Sequence, residues 1–264
     1  QRSSEALMVV APADHIVTDQ CGFQRTLLAA CDLAATRQCL VTLGVRPTRP
    51  DTGFGYIEVG TAIGRGVANA HWVRRFREKP SAAIAGRYVA TGRHLWNSGI
   101  FVWRAAVFRT ALARTLPRVR EALDGLWRGT ERTVTRRLRR TYPGLPAISV
   151  DTGLMQPIAT MRSAAPRVAV LRAGFDWNDV GSWSAMPEIW GCDQAGNTAV
   201  GKVLPVGASG SIVYSPERLV ALVGTKDLIV VDSPDALLIC ARKHAQDVRE
   251  ITRALKRRRW TRYL

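Results

Sequence analysis

The chain has 264 residues, 47% of them hydrophobic, enough to bury one large core and a smaller satellite. No apolar run approaches the roughly eighteen residues of a membrane span, and Gln1–Glu5 lack the basic-then-apolar order of a signal peptide, so no membrane partner is expected. Its 38 basic against 21 acidic residues give a net charge of +17, which excludes an acidic solvating chain and raises the question of an anionic partner.

Leu7–Val10 lies in a short apolar run ended by Pro12, and Asp19 to Gln38 follows with Phe23, Leu27, Cys31 and Ala34 at helical spacing. Leu40–Val45 reads as a second buried strand, and strand, helix, strand in this span is the rhythm of a parallel α/β sheet. Pro47 to Gly66 is rich in Pro, Gly and Thr and reads as a loop before a strand at Trp72–Phe76. A short helix from Pro80 to about Thr91, a strand at Gly99–Trp103 and helices over Ala105–Arg114, Arg118–Trp127, Arg132–Tyr142 and Asp151–Met161 come next.

Val168–Leu171 returns to the sheet, and Ser182–Trp190 reads as a helix. The helix–strand alternation then stops. Five short β-rich runs follow between Ala199 and Ile239, separated by Gly, Pro, Asp and Ser as stacked short strands require, and a helix from Ala245 to Leu255 closes the chain. The composition therefore predicts a domain of residues 1–196 and a β-rich tail of residues 197–264, the latter a packing surface for the first domain or for a homodimer.

The basic residues are overwhelmingly arginine, scattered, with denser clusters at Arg128–Arg140 and Arg253–Arg262. No aromatic-and-basic nucleic-acid module accompanies them, so a solvated arginine-rich surface is the favoured reading over nucleic-acid binding. The five cysteines are odd in number and lack Cys-x-x-Cys spacing, which argues against a disulfide framework or zinc site and for a reduced, cytoplasmic protein.

Five motifs could carry chemistry. Pro12-Ala13-Asp14-His15 sits at a strand's C-terminal end, where α/β sheets place their ligand crevice; Asp14 there could bind Mg²⁺ or simply cap the next helix. In Thr52-Gly53-Phe54-Gly55 the glycines allow close backbone approach to a ligand, as they would in an ordinary β-turn. Glu78 and Lys79, stopped by Pro80, could accept sugar hydroxyls and neutralise a phosphate, or form a surface charge pair. Asn97, before Gly99, suits a polyol or a turn. Asp176 and Asp179 flank Trp177 and Asn178; one could complete a metal site with Asp14, while Ser182 is a ready helix cap.

Taken together, the stretches PADH, RPTRPDTGFGYIEVG, FREKP, WNSGIFVW and DWNDVGSW, with the tail LVALVGTKDLIVVDSPDALLICARKHAQDVREI, resemble the sugar-phosphate nucleotidylyltransferases and, among them, the mannose-1-phosphate guanylyltransferases. The resemblance implies an α/β Rossmann-like, glycosyltransferase-A-like mixed sheet with a small β-helix-like C-terminal domain. It implies transfer of GMP from GTP to mannose 1-phosphate, giving GDP-mannose and pyrophosphate, with Mg²⁺ as cofactor. Asp14 and Asp179 are then the metal ligands, Gly55 a backbone donor to the hexose, Glu78 and Asn97 the sugar-hydroxyl pair, and Lys79 the partner of the sugar phosphate. Another sugar 1-phosphate is the nearest enzymatic alternative, and a catalytically dead basic binding remnant the non-enzymatic one.

Two departures qualify these expectations. The family opens with a Gly-rich, Arg-containing loop and a Pro-Lys pair that cradle the triphosphate, and nothing before Pro12 supplies them. With Gln1 in place of an initiator methionine, this predicts a fragment with an exposed apolar sheet edge and no GTP turnover by itself. At Ser149–Gln156 the family has an aromatic residue and a Glu where this chain has Thr152 and Gln156, although Asp151 is kept.

Overall fold

The computed structural model describes residues 4–64, 69–126, 131–161 and 166–263. Packing divides the chain into two units, Gln1–Trp177 and Asn178–Leu264.

The first unit is built on a six-stranded mixed sheet. Its strands are β1 (Leu7–Val10), β2 (Leu40–Val45), β3 (Tyr56–Ala62), β4 (Ala70–Arg77), β5 (His94–Arg104) and β6 (Val168–Arg172), in the order β1-β5-β2-β6-β4-β3. Only β2 and β6 run parallel among these pairings; the others are antiparallel. β3 also pairs with β5, so the pairings β5-β2-β6-β4-β3 return to β5. The helices of this unit are α1 (Gln20–Arg37), α2 (Ala82–Thr91), α3 (Ala105–Thr115), α4 (Pro117–Leu126), α5 (Glu131–Thr141) and α6 (Gln156–Thr160).

α1 starts where Asp19 turns its carboxylate onto the Gly22 N–H at 2.8 Å, satisfying one of the helix's unpaired donors. Its buried face, Ala30, Leu33 and Ala34, packs on Val41, Leu43, Val102, Ala169 and Leu171 of the sheet. On the other side Leu40, Ile57, Phe101, Trp103 and Val170 meet Leu112, Leu154, Met155 and Ile158. Each such large side chain contributes about 1.5–3 kcal/mol by leaving water. These two cores cover the sheet from both faces.

β3 falls inside the stretch expected to be a loop. Gly60 and Thr61 obscure its alternation, but the glycine is a packing requirement: a Cβ there would lie 2.7 Å from the Trp72 carbonyl oxygen of β4. β5 begins earlier than expected and takes in the whole WNSG motif, with a register shift against β2 between Thr42 and Gly44. The expected helix Asp151–Met161 is a π-helical turn, Asp151–Met155, followed by α6. Among the described residues β1 pairs on one side only, with β5, and its four apolar residues are all exposed.

The second unit contains α7 (Met186–Trp190), β7 (Thr198–Val206), β8 (Ile212–Val223), β9 (Leu228–Asp232), β10 (Leu237–Ala241) and α8 (Val248–Arg257). β7, β8 and β9 pair in parallel and β10 closes antiparallel on β9. Two of the five expected β-runs, Ser211–Tyr214 and Leu219–Val223, fuse into one bent strand, β8, which pairs with β7 in two registers. Successive turns stack: Asn197 Oδ1 accepts from Ser211 N at 3.1 Å, and Ser211 Oγ accepts from Leu228 N at 3.2 Å. Asn178 to Gly196, ahead of the change in composition at Asn197, packs Val180, Trp183, Ala185 and Met186 around Ile212 and Ile229.

Candidate active site

Three residues from three motifs meet at one end of the sheet. Gly55 leads into β3, Glu78 follows β4, and Asn97 lies in β5 with its N–H on the Gly55 carbonyl at 2.8 Å. A Cβ on Gly55 would stand 2.5 Å from Glu78 Oε2 and 3.4 Å from the Asn97 Cβ, so a side chain there would turn the Glu78 carboxylate aside.

Asn97 is buried and fixed at both ends of its amide. Its Nδ2 donates to Asp151 Oδ1 at 2.7 Å, and its Oδ1 accepts from Thr42 Oγ1 at 2.8 Å. One amide hydrogen remains for a ligand. The Asn belongs to a strand beside a register shift, which leaves its side chain free of the turn role that sequence alone allowed.

Glu78 is the least satisfied group in the cluster. Its Oε2 is buried without a hydrogen-bond partner among the described residues, while Lys79 Nζ stands 4.0 Å from Oε1. Burial pushes its carboxyl above the usual range, the neighbouring Asp151 pushes in the same direction, and Lys79 opposes them. A buried oxygen of this kind costs free energy as long as no donor reaches it. Lys79 itself is at φ 42°, immediately before Pro80, a conformation that non-glycine residues adopt only at a cost, and its side chain projects into solvent.

An aromatic chain connects these residues to two other motifs. The Phe54 ring lies 4.8 Å from that of Trp96 and 5.3 Å from that of Trp177; Trp177 in turn meets His15 edge-on at 5.2 Å. Trp177 Nε1 donates to His15 Nδ1 at 3.0 Å, so a neutral imidazole carries its proton on Nε2. The sequence motifs named Asp, Asn and Gly and missed this apolar scaffold, together with Thr42; the signal was present as an aromatic residue inside four of the five stretches.

Asp176 has a different surrounding from that of Glu78. It accepts from the Thr18 hydroxyl, from Thr18 N at 3.0 Å and from Asp19 N at 2.7 Å, where α1 begins. The Thr18 hydroxyl foremost, aided by these amides, holds its carboxyl below the usual range. Asp14 is exposed and follows β1 closely; Asp179 is half-buried in the second unit. Among the described residues no group of three or more His, Cys, Asp and Glu is placed to hold a metal ion.

A nucleotidyl transferase family model matches residues 1–193, and a MannoseP isomerase/GMP-like beta-helix domain model matches residues 201–255. Xanthan biosynthesis protein XanB of Xanthomonas campestris is 35% identical, covering 97% of this chain and 52% of that protein. The mannose-1-phosphate guanylyltransferase of Escherichia coli K12 is 35% identical over 96% of this chain and 52% of its own length. The chain thus spans about half the length of the curated relatives it matches. A crystal structure described as mannose-1-phosphate geranyltransferase from Thermus thermophilus matches with a TM-score of 0.81 at 33% identity, covering 95% of this chain and 70% of that one. The chain belongs to the nucleotidyl transferase family, is related over nearly its whole length to mannose-1-phosphate guanylyltransferases, and has a mixed α/β nucleotidyltransferase fold with a β-helix-like C-terminal domain.

Proposed function

We propose that this chain serves transfer of GMP from GTP to mannose 1-phosphate, releasing pyrophosphate and forming GDP-mannose. The observation that carries this reading is the Gly55–Glu78–Asn97 cluster. A buried carboxylate oxygen without a donor and an amide with one free hydrogen present an acceptor and a donor side by side, the complement of adjacent sugar hydroxyls. Lys79, exposed and next in the chain, supplies the cation for the sugar phosphate.

Such a transfer relies on positioning and charge neutralisation rather than on a covalent protein intermediate. Glu78 and Asn97 orient the hexose, so that its phosphate oxygen faces the α-phosphorus of GTP. The carboxylates of Asp14 and Asp179 are assigned to Mg²⁺ on the strength of the motif resemblance; a donor set this small suits an ion that keeps waters and takes its remaining ligands from phosphate oxygens. Magnesium, when bound, neutralises charge on the phosphates. On the same reading the functional division lies near Asn197, with residues 1–196 the catalytic domain and 197–264 a β-rich tail, and the reaction belongs to the cytoplasm.

The test is pyrophosphate release from GTP and mannose 1-phosphate, run beside calorimetric binding of mannose 1-phosphate and of glucose 1-phosphate. The reading requires Mg²⁺-dependent release or selective binding of the mannose compound, lost in Asp14→Asn and Asp179→Asn for release and in Glu78→Ala for binding. Neither release nor binding would sink it, and preference for glucose 1-phosphate would move the substrate.

A further inference from the structure

Resting on the reading of Glu78 and Asn97 as the sugar-binding pair, we propose that Asp151 is a positioning residue of that site, the group that sets which way the Asn97 amide faces. The oxygen and nitrogen ends of a carboxamide are nearly equal in size, so shape alone does not hold an asparagine in one orientation. Its neighbours' donors and acceptors do.

On one side of Asn97 stands Asp151, whose Oδ1 accepts from Asn97 Nδ2 at 2.7 Å. A carboxylate only accepts, so it takes the Nδ2 end and repels Oδ1. On the other side is Thr42 of β2, whose hydroxyl can donate or accept and so suits either end of the amide. That hydroxyl lies 2.8 Å from Asn97 Oδ1 and 3.3 Å from the Ile100 carbonyl oxygen, so its one hydrogen has two acceptors within reach. With Nδ2 drawn to Asp151, Oδ1 faces Thr42 and receives that hydrogen. Without the carboxylate the amide is free to turn over, Nδ2 donating to Thr42 Oγ1 while the Thr42 hydrogen passes to Ile100. Asp151 is thus the neighbour with no second choice, and it keeps the remaining Nδ2 hydrogen for an accepting oxygen of the sugar.

The core holds Asp151 in place. It opens the π-helical turn Asp151–Met155, in which Leu154 and Met155 are fully buried in one core cluster with Trp103 and Leu112. Gly153 N donates to the Ser149 carbonyl at 2.8 Å, and a Cβ on Gly153 would meet Leu116 at 3.0 Å and Ile148 at 3.1 Å. Single wide turns of this kind recur at functional sites. Asp151 also lies near enough to Glu78 for its charge to help raise the Glu78 carboxyl, so direct action on Glu78 is the competing account.

The experiment follows the Asn97 side-chain amide of the ligand-free protein by nitrogen–proton NMR, assigned by its loss in Asn97→Ala, beside calorimetric titration with mannose 1-phosphate. In Asp151→Asn the Asn97 amide signals should shift and exchange faster with water, binding should weaken about tenfold, and the melting curve should stay cooperative. Thr42→Val should act in the same direction from the other end of the amide, and Thr42→Ser, which keeps the hydroxyl, should retain the parent signal and affinity. In the Asn97→Ala background Asp151→Asn should change affinity no further, because Asp151 acts through the amide. The inference is overturned by an Asn97 signal indifferent to Asp151→Asn or by Thr42→Ser behaving as Thr42→Val does. An Asp151→Asn effect of equal size in the Asn97→Ala background would also overturn it, assigning the action to Glu78. A parent protein that binds no sugar phosphate would overturn the function reading instead, while the Asn97 signal still decides whether Asp151 holds the amide.

Discussion

Glu78 and Asp176 are both carboxylates in segments that follow a strand, both within motifs that suggest chemistry, yet the protein treats them in opposite ways. Asp176, although exposed, accepts from three donors on Thr18 and Asp19, which hold its carboxyl below the usual range. Glu78 keeps a buried oxygen with no donor and resists ionisation. The first is a strut that fixes the start of α1; the second is the acceptor that the proposed function gives to a sugar hydroxyl. Satisfaction of the hydrogen-bonding capacity, more than residue type or position in a motif, separates the two carboxylates.

Gly55→Ala is the severest way to break this contrast. Its Cβ would displace the Glu78 carboxylate, and misplacement of this order costs on the order of a hundredfold in kcat/KM; the fold should persist, so mannose 1-phosphate binding by calorimetry should be lost while the melting curve remains cooperative. Asn97→Asp comes next. It would set a second carboxylate 2.7 Å from where Asp151 now accepts, so binding should fall more than in Asn97→Ala, and the excess should shrink in acid.

Asp176→Ala should act on stability instead. Loss of its charged hydrogen bonds should cost about 1–2 kcal/mol, read as a lower urea midpoint with unchanged mannose 1-phosphate affinity. Affinity falling in parallel with stability would erase the distinction drawn between the two carboxylates.

The smallest effect is in the pH dependence, where the two groups have opposite signs. Glu78 has a raised carboxyl, so its contribution is favourable below the ordinary carboxylate range and is lost as pH rises through the raised value. Glu78→Gln should therefore melt at a higher temperature than the parent at neutral pH, with the difference vanishing in acid. Asp176 has a lowered carboxyl, so its contribution is present above the ordinary range and is lost as pH falls through the lowered value. Asp176→Asn should be less stable than the parent at neutral pH and converge with it in acid.

Much of the architecture was legible in the residues. The apolar runs Leu40–Val45 and Val168–Leu171, the helical spacing after Asp19, and the change of period after Asn197 each depend on local pattern, and the structure carries an element at each. β3 was hidden because its glycine answers to a neighbour, Trp72, that is distant in sequence. The division of packing after Trp177 was hidden for the same reason: Asn178 to Gly196 has helical composition but buries Ala185 and Met186 against Ile212 and Ile229.

The sequence by itself determined which residue types could serve a sugar phosphate, because Gly, Glu, Lys and Asn in short motifs carry their chemistry with them. It also determined the family, through the order of those motifs. Only the tertiary structure decided that Gly55, Glu78 and Asn97 converge, that Asp151 and Thr42 hold the Asn97 amide, and that Asp176 is engaged elsewhere. The reason is physical: donors and acceptors are fixed by covalent structure, but whether each is satisfied depends on contacts between strands brought together across the sheet.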